Sequence, residues 1–222
     1  MKKLLLILAF AGFVSACGDD DSSGGGKVPA SIVMTSPDAA YTGTYSFSYD
    51  NKNRLTQLVR TGAQNLIYVF DYGSNGKPQT ISVTGDSEAT VNLTYDNKKR
   101  LVNATSQFSS LDVTYTDAGF IVNGTPGTIA SNGDLTSLAT LQFNYDTSKK
   151  GAFANVKGLD GLIMAIVETN SPYYASKKAI SSLTNSASPA ANTTVLNTYE
   201  DGLPATTQVS GGATFTMAFT YN

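Results

Sequence analysis

The sequence holds no histidine, and cysteine occurs once in 222 residues. Without an imidazole, a Ser-His-Asp or Cys-His nucleophile is impossible, and so is a zinc site with histidine ligands. Without a second cysteine there is no intramolecular disulfide, so burial alone must stabilise the fold. Charge is sparse too: 15 basic and 17 acidic side chains leave a net charge of −2. A nearly neutral chain with scattered lysines lacks the basic footprint that a nucleic-acid partner requires. The apolar run from Leu4 to Phe13 is too short to span a bilayer.

That run has another use. Lys2 and Lys3 precede it and the small residues Ser15 and Ala16 follow it, which together read as a signal peptide over residues 1–16. Val14-Ser15-Ala16-Cys17 resembles a bacterial lipobox, and the resemblance implies thioether lipidation of Cys17 and loss of everything before it. Residues 17–30, rich in Gly and Asp, have nothing to bury and read as a flexible tether, holding the body on the order of 20 Å from the lipid. Asp19, Asp20 and Asp21 are similar to the surface-export signal of Bacteroidetes lipoproteins, which implies an outer-membrane protein facing outward. Residues 31–222 are expected to form a single domain.

An internal repeat organises that domain. Tyr-Asp-Asn-Lys-Asn-Arg-Leu at Tyr49 to Leu55 returns as Tyr-Asp-Asn-Lys-Lys-Arg-Leu at Tyr95 to Leu101, and Tyr72 lies midway, 23 residues from each tyrosine. Looser copies occur at Tyr115, Tyr145 and Tyr199. Runs such as Tyr45-Ser-Phe47-Ser-Tyr49 and Val91-Asn-Leu93-Thr-Tyr95 alternate apolar with small polar residues, the period of a half-buried strand. The Asp, Asn, Gly and Lys residues after each tyrosine suit a tight turn, so the unit is a β-hairpin. Counting both arms predicts a mainly β fold, an antiparallel meander of roughly 10 to 12 strands. Twist and unpaired edges should curl it into a barrel or half-barrel.

Between residues 153 and 183 the alternation breaks. Val156, Leu159, Leu162, Ile163 and Ile166 recur at helical spacing, and Asn170-Ser171-Pro172 is a plausible stop. A short buried helix is expected there, plugging the curved sheet or capping its apolar face, with a buried strand as the alternative.

The Tyr-Asp hairpins, the Gly-Leu-Asp-Gly-Leu-Ile stretch around Asp160, the segment from Ser171 to Ser181 and the closing Tyr-Glu-Asp-Gly-Leu-Pro resemble an uncharacterised family of small Bacteroidetes lipoproteins. The resemblance implies a porin-like β fold and brings no activity. More distantly the Tyr-Asp units are similar to the repeats of RHS and YD-repeat shells. Those usually carry Gly before Arg-Leu, where this chain has Asn53 and Lys99.

A transmembrane pore would need strands of about 9 to 11 residues, an outward apolar band and aromatic girdles. These repeats offer about 5 to 7 alternating positions, with aromatics spread along the apolar face, which predicts a water-soluble body tied to the membrane by lipid. For catalysis, only carboxylate chemistry remains, and a glycosidase needs two acids roughly 5 to 9.5 Å apart. Asp50, Asp71, Asp96, Asp117, Asp146 and Asp201 stand where hairpin turns favour aspartate, which leaves Asp112 and Glu168 as the least explained. Tyr173 and Tyr174, beside Lys177 and Lys178, could form a stacking surface for sugar, although one of the pair is expected in the core. No metal, cofactor or catalytic residue is expected. The reading is an outer-membrane lipoprotein acting as a non-catalytic binding or interaction module for glycan, peptide or an envelope protein. A structural envelope component without a small ligand is the alternative, and a carboxylate glycosidase comes third.

Overall fold

The alternating segments become sixteen antiparallel strands closed into one barrel in a computed structural model describing residues 26–222. In chain order these are β1 (Pro29–Thr35), β2 (Gly43–Tyr49), β3 (Leu55–Gly62), β4 (Leu66–Tyr72), β5 (Pro78–Gly85), β6 (Ala89–Tyr95), β7 (Leu101–Thr105) and β8 (Ser110–Thr116), followed by β9 (Gly119–Val122), β10 (Thr125–Ile129), β11 (Leu135–Leu138), β12 (Leu141–Lys150), β13 (Lys178–Asn185), β14 (Thr193–Glu200), β15 (Leu203–Gly211) and β16 (Phe215–Tyr221). Each strand pairs with its sequence neighbours, and β1 pairs with β16 to complete the ring, so no edge is left open. The count exceeds the expected 10 to 12. The excess lies partly in β9, β10 and β11, strands of four or five residues that are too short to display a period of two. The expected signal peptide 1–16, Cys17 and most of the expected tether fall outside the described residues. β1 begins at Pro29, within the segment read as tether, and Val28 is already buried.

The repeat motif has a mechanical explanation. Register shifts fall immediately before Tyr49, Tyr72, Tyr95, Tyr145 and Tyr199. At the first of these, Ser48 pairs with Gln57 but Tyr49 pairs with Leu55, so β3 carries an extra residue and Tyr49 turns inward with Leu55. The bulge shifts the phase of the following strand. Its trace in the sequence is a spacing of three between buried residues, Leu55 to Leu58, Pro78 to Ile81 and Leu101 to Ala104.

Because even-numbered strands all run the same way, these tyrosines gather at one end of the barrel, here the tyrosine end. Tyr95 donates its hydroxyl to the Pro78 carbonyl at 2.7 Å and Tyr221 to that of Pro204 at 2.8 Å. In the turns, Asp50 accepts the backbone N–H groups of Lys52 and Arg54 at 2.9 Å and binds Arg54 Nε at 2.6 Å. Asp96 repeats the arrangement with Lys98 and Arg100. Each arginine then covers a tyrosine farther along, Arg54 at 4.7 Å from the Tyr72 ring centre and Arg100 at 4.1 Å from that of Tyr115. The residue before each arginine is left-handed, Asn53 at φ 57° and Lys99 at φ 61°. A left-handed backbone suits glycine best and tolerates asparagine, so lysine is the costlier occupant. Lys99→Gly is therefore expected to raise stability by about 1 kcal/mol, and Asn53→Gly by about half that or less, measured by denaturant unfolding.

A sixteen-stranded barrel would ordinarily enclose a water-filled channel. Here residues 151–177, between β12 and β13, fill it. The segment carries α1 (Gly161–Val167), capped by Asp160, whose carboxylate accepts the Ile163 N–H at 3.1 Å, and a 3-10 turn at Ser171–Tyr173. Leu162, Ile163 and Met164 are buried against the barrel wall. Phe153 and Tyr174 meet Phe47 at ring-centre distances of 5.6 and 6.1 Å, and Tyr174 meets Tyr45 at 5.4 Å. The segment is tied at the tyrosine end: the buried Asp134 carboxylate accepts the backbone N–H groups of Lys177 at 2.6 Å and Lys178 at 2.9 Å. The expected helix is present and acts as a plug. It stops at Val167, before the expected Asn170-Ser171-Pro172, because Glu168 leaves helical geometry to enter a buried ion pair.

The wall has a consistent polarity. Inward positions are mainly Ile, Leu, Val, Phe, Tyr and Met, with Arg60 and Thr207 among the exceptions, whereas the outward exposed positions include Ser46, Ser48, Thr90, Asn92, Thr94, Thr206, Gln208, Thr216 and Thr220. The exposed large apolar residues on strands, Val33, Ile67, Val69, Ile121 and Leu196, are dispersed over four strands and form no band. A barrel facing lipid requires the opposite arrangement. No described helix is long and apolar enough to cross a membrane.

Candidate functional site

Whereas on one side Tyr173 of the plug reaches Phe215 at the barrel end opposite the tyrosine turns, on the side of β3 to β8 the plug stops short of that end. There a cavity of about 420 Å³ remains, with its mouth at the β3–β4, β5–β6 and β7–β8 turns and its floor at Ile166, Val167, Glu168 and Thr169 of the plug. The walls are aliphatic, formed by Leu66, Val83, Ala89, Val91, Ala104 and Leu111. Phe108, at the tip of the β7–β8 turn, stands 75% exposed on the rim. Ligand sites commonly take this form, a mainly apolar concavity with a few convergent polar groups.

Gln64, Ser87, Thr105, Ser106 and Ser109 line the mouth, and the charged groups lie at the floor. Glu168 is 1% exposed, and its carboxylate accepts from Arg60 Nη1 at 3.4 Å to each oxygen, from Tyr68 Oη at 3.2 Å and from the Asn170 N–H at 3.1 Å. Asn170 Nδ2 in turn donates to Tyr45 Oη at 3.0 Å. Burial pushes the Tyr68 and Tyr45 phenols up, and the Glu168 charge adds to the effect. The carboxylate thus accepts four hydrogen bonds from three donor groups. Arg60 is less fully used: among the described residues its guanidinium donates only through Nη1.

Sequence reasoning singled out Glu168 without its partner. Arg60 is 108 residues away, and the bulge in β3 turns it inward where simple alternation from Leu55 would turn it out. The spacing of three from Leu55 to Leu58 was the available signal. Asp112 lies exposed on the outer wall, bonded to Asn103 Nδ2 at 2.7 Å, so the structure does not bring it to Glu168. Among the cavity's lining residues Glu168 is the one carboxylate, and the pair of acids that a glycosidase needs is not assembled there. Tyr173 packs edge-on against Phe215 at 5.0 Å and Tyr174 is buried in the plug, so both serve the core and neither lines the cavity. Among the described residues no three acidic side chains cluster as a metal site.

The chain is similar to two solved structures. One is a porin-like protein from Bacteroides uniformis ATCC 8492, 14% identical over 87% of this chain and 98% of that one, with a TM-score of 0.42. Another is a porin-like protein from Bacteroides vulgatus ATCC 8482, 14% identical over 89% and 99%, with a TM-score of 0.46. At that identity nothing about function passes to this chain. No protein-family model and no curated protein sequence matches it.

One further titratable group lies in the plug. Lys177 Nζ donates to the carbonyls of Phe153, at 2.9 Å, and Val156, and burial lowers its pKa to about 8. Burial has the opposite effect on the inward tyrosines: Tyr115 is pushed up to about 12, and Tyr49, Tyr72, Tyr95, Tyr145 and Tyr221 are raised as well. The signs separate two pH windows. Between pH 8 and 10 the unfolded chain holds more protons at Lys177 than the folded one, so stability increases with pH. Above pH 10 unfolded tyrosines ionise while folded ones do not, and stability is lost. Thermal unfolding followed by near-UV circular dichroism should show a shallow rise, then a steep fall, with the rise absent in Lys177→Met.

Proposed function

We propose that this chain is a water-soluble, plugged barrel held at the outer membrane by lipid on Cys17, and that it binds a small ligand non-catalytically in the cavity at its far end. The observation that carries the reading is the position of the cavity. Residues 26 and 27 lie at the tyrosine end, where the Gly26 carbonyl accepts from Asn53 Nδ2 at 3.3 Å and Lys27 pairs with Asp201 at 2.7 Å. A tether leaving from there would point the cavity mouth away from the membrane. From Cys17 to Gly26 the chain can reach at most about 30 Å, enough to keep the barrel close to the bilayer without burying its wall. The acidic triplet Asp19 to Asp21 supports an outward-facing location.

The support moves from glycan towards apolar ligands, because the two tyrosines that might have stacked on sugar are in the core and the cavity walls are aliphatic. A structural envelope role would follow if the cavity took no ligand. The test is a neutral apolar fluorophore, N-phenyl-1-naphthylamine, titrated into the intact lipoprotein in detergent-free vesicles and into an Ala89→Trp variant, whose indole would fill the mouth. Saturable binding at one probe per chain, lost in the variant, supports the reading. Binding that is absent, or equal in both proteins, rejects it.

A further inference from the structure

We infer that the cavity selects an uncharged amphiphile, an aliphatic body that ends in a hydroxyl or carbonyl group directed at Arg60. This rests on the ligand-binding reading above and goes further by fixing the charge of the ligand. Between a mouth that carries Gln64, Ser87, Thr105, Ser106 and Ser109 and the charged floor, Leu66, Val83, Val91, Ala104 and Leu111 offer contact to an alkyl chain and their side chains offer no hydrogen bonds to a polar one. The floor offers donors without net charge. Arg60 and Glu168 compensate each other at 3.4 Å, and the guanidinium retains Nε and Nη2 protons that no acceptor among the described residues takes. A ligand oxygen that accepts those protons would complete the floor.

Each kind of charge meets an obstacle. A carboxylate arriving at Arg60 would also meet Glu168, and it would pass a rim that carries Asp86 and Glu88 and no basic residue in the turns around residues 61–66, 85–89 and 105–110. An ammonium would find the Glu168 oxygens already taken by Arg60, Tyr68 and Asn170, and would lie beside the guanidinium charge. Desolvating either ion against aliphatic walls adds a cost that a neutral head does not incur.

The experiment displaces N-phenyl-1-naphthylamine from the intact lipoprotein at pH 7 with three probes of equal chain length, 1-decanol, decanoate and decylammonium. The expected result is half-displacement by decanol at a concentration about tenfold or more below that for either ion. Equal or better competition by decanoate or decylammonium overturns the inference while leaving the ligand-binding reading in place. Failure of the fluorophore to bind, or its binding to Ala89→Trp unchanged, removes the ligand-binding reading itself. Glu168→Gln leaves Arg60 uncompensated, so in that variant decanoate is expected to gain at least about tenfold relative to decanol. An unchanged ratio in a folded variant also counts against the assignment, and if the variant does not fold, the comparison on the unaltered protein still decides.

Discussion

Replacing Arg60 with methionine should destabilise the barrel by about 3 to 5 kcal/mol, because it leaves the Glu168 carboxylate buried at 1% exposure without its countercharge. The magnitude reflects the orphaned charge more than the strength of the pair. At 3.4 Å the Arg60 contacts are long, and a neutral replacement of both partners should cost far less. Arg60→Met combined with Glu168→Gln keeps an acceptor for the Tyr68 hydroxyl and the Asn170 N–H, so it is expected to recover most of the loss. Urea unfolding of the four proteins in the cycle measures this directly, and a double variant no more stable than Arg60→Met would show that the pair is not the source of the effect.

The second large effect is expected at the contact between plug and wall. Phe153 is 1% exposed and sits edge-on to Phe47 at 5.6 Å and tilted against Tyr174 at 5.9 Å. Phe153→Ala removes a whole ring from a site where three aromatic side chains meet, and the barrel, closed by hydrogen bonds around its circumference, cannot contract to fill the gap. The expected loss is about 3 to 5 kcal/mol, with the hydrogen-exchange protection of residues 151–177 falling more than that of β4 or β16. Equal loss of protection throughout would mean that plug and wall unfold as one unit.

Much of this architecture can be read locally. Tyr45-Ser-Phe47-Ser-Tyr49 shows its two faces by alternation, Asp50 and Asp96 announce their turns, and the helical spacing from Val156 to Ile166 marks the plug. The rest depends on relations that no short window contains. Closure of β1 on β16 joins Ile32 to Phe219 across nearly the whole chain. The inward turn of Arg60 depends on a bulge, which the spacing of Leu55 and Leu58 encodes but which a simple period of two misreads. The cavity has no sequence signature, because it is the volume left where the plug, turning at Glu168, leaves the β3 to β8 side of the barrel's far end unfilled. The tyrosine pair shows a milder gap: one of the two is expected in the core, and only the packing of Tyr173 on Phe215 and of Tyr174 among Tyr45, Phe47 and Phe153 shows that both serve it.

The central claim is that the outer wall faces water. Nitroxide labels placed through Asn92→Cys and Ala218→Cys, mid-strand and outward on β6 and β16, test it in the full chain, with the proposed lipid on Cys17, reconstituted on vesicles. Collision with a water-soluble nickel complex should be high and collision with dissolved oxygen low at both positions. High oxygen and low nickel accessibility would place the wall in hydrocarbon and contradict the account.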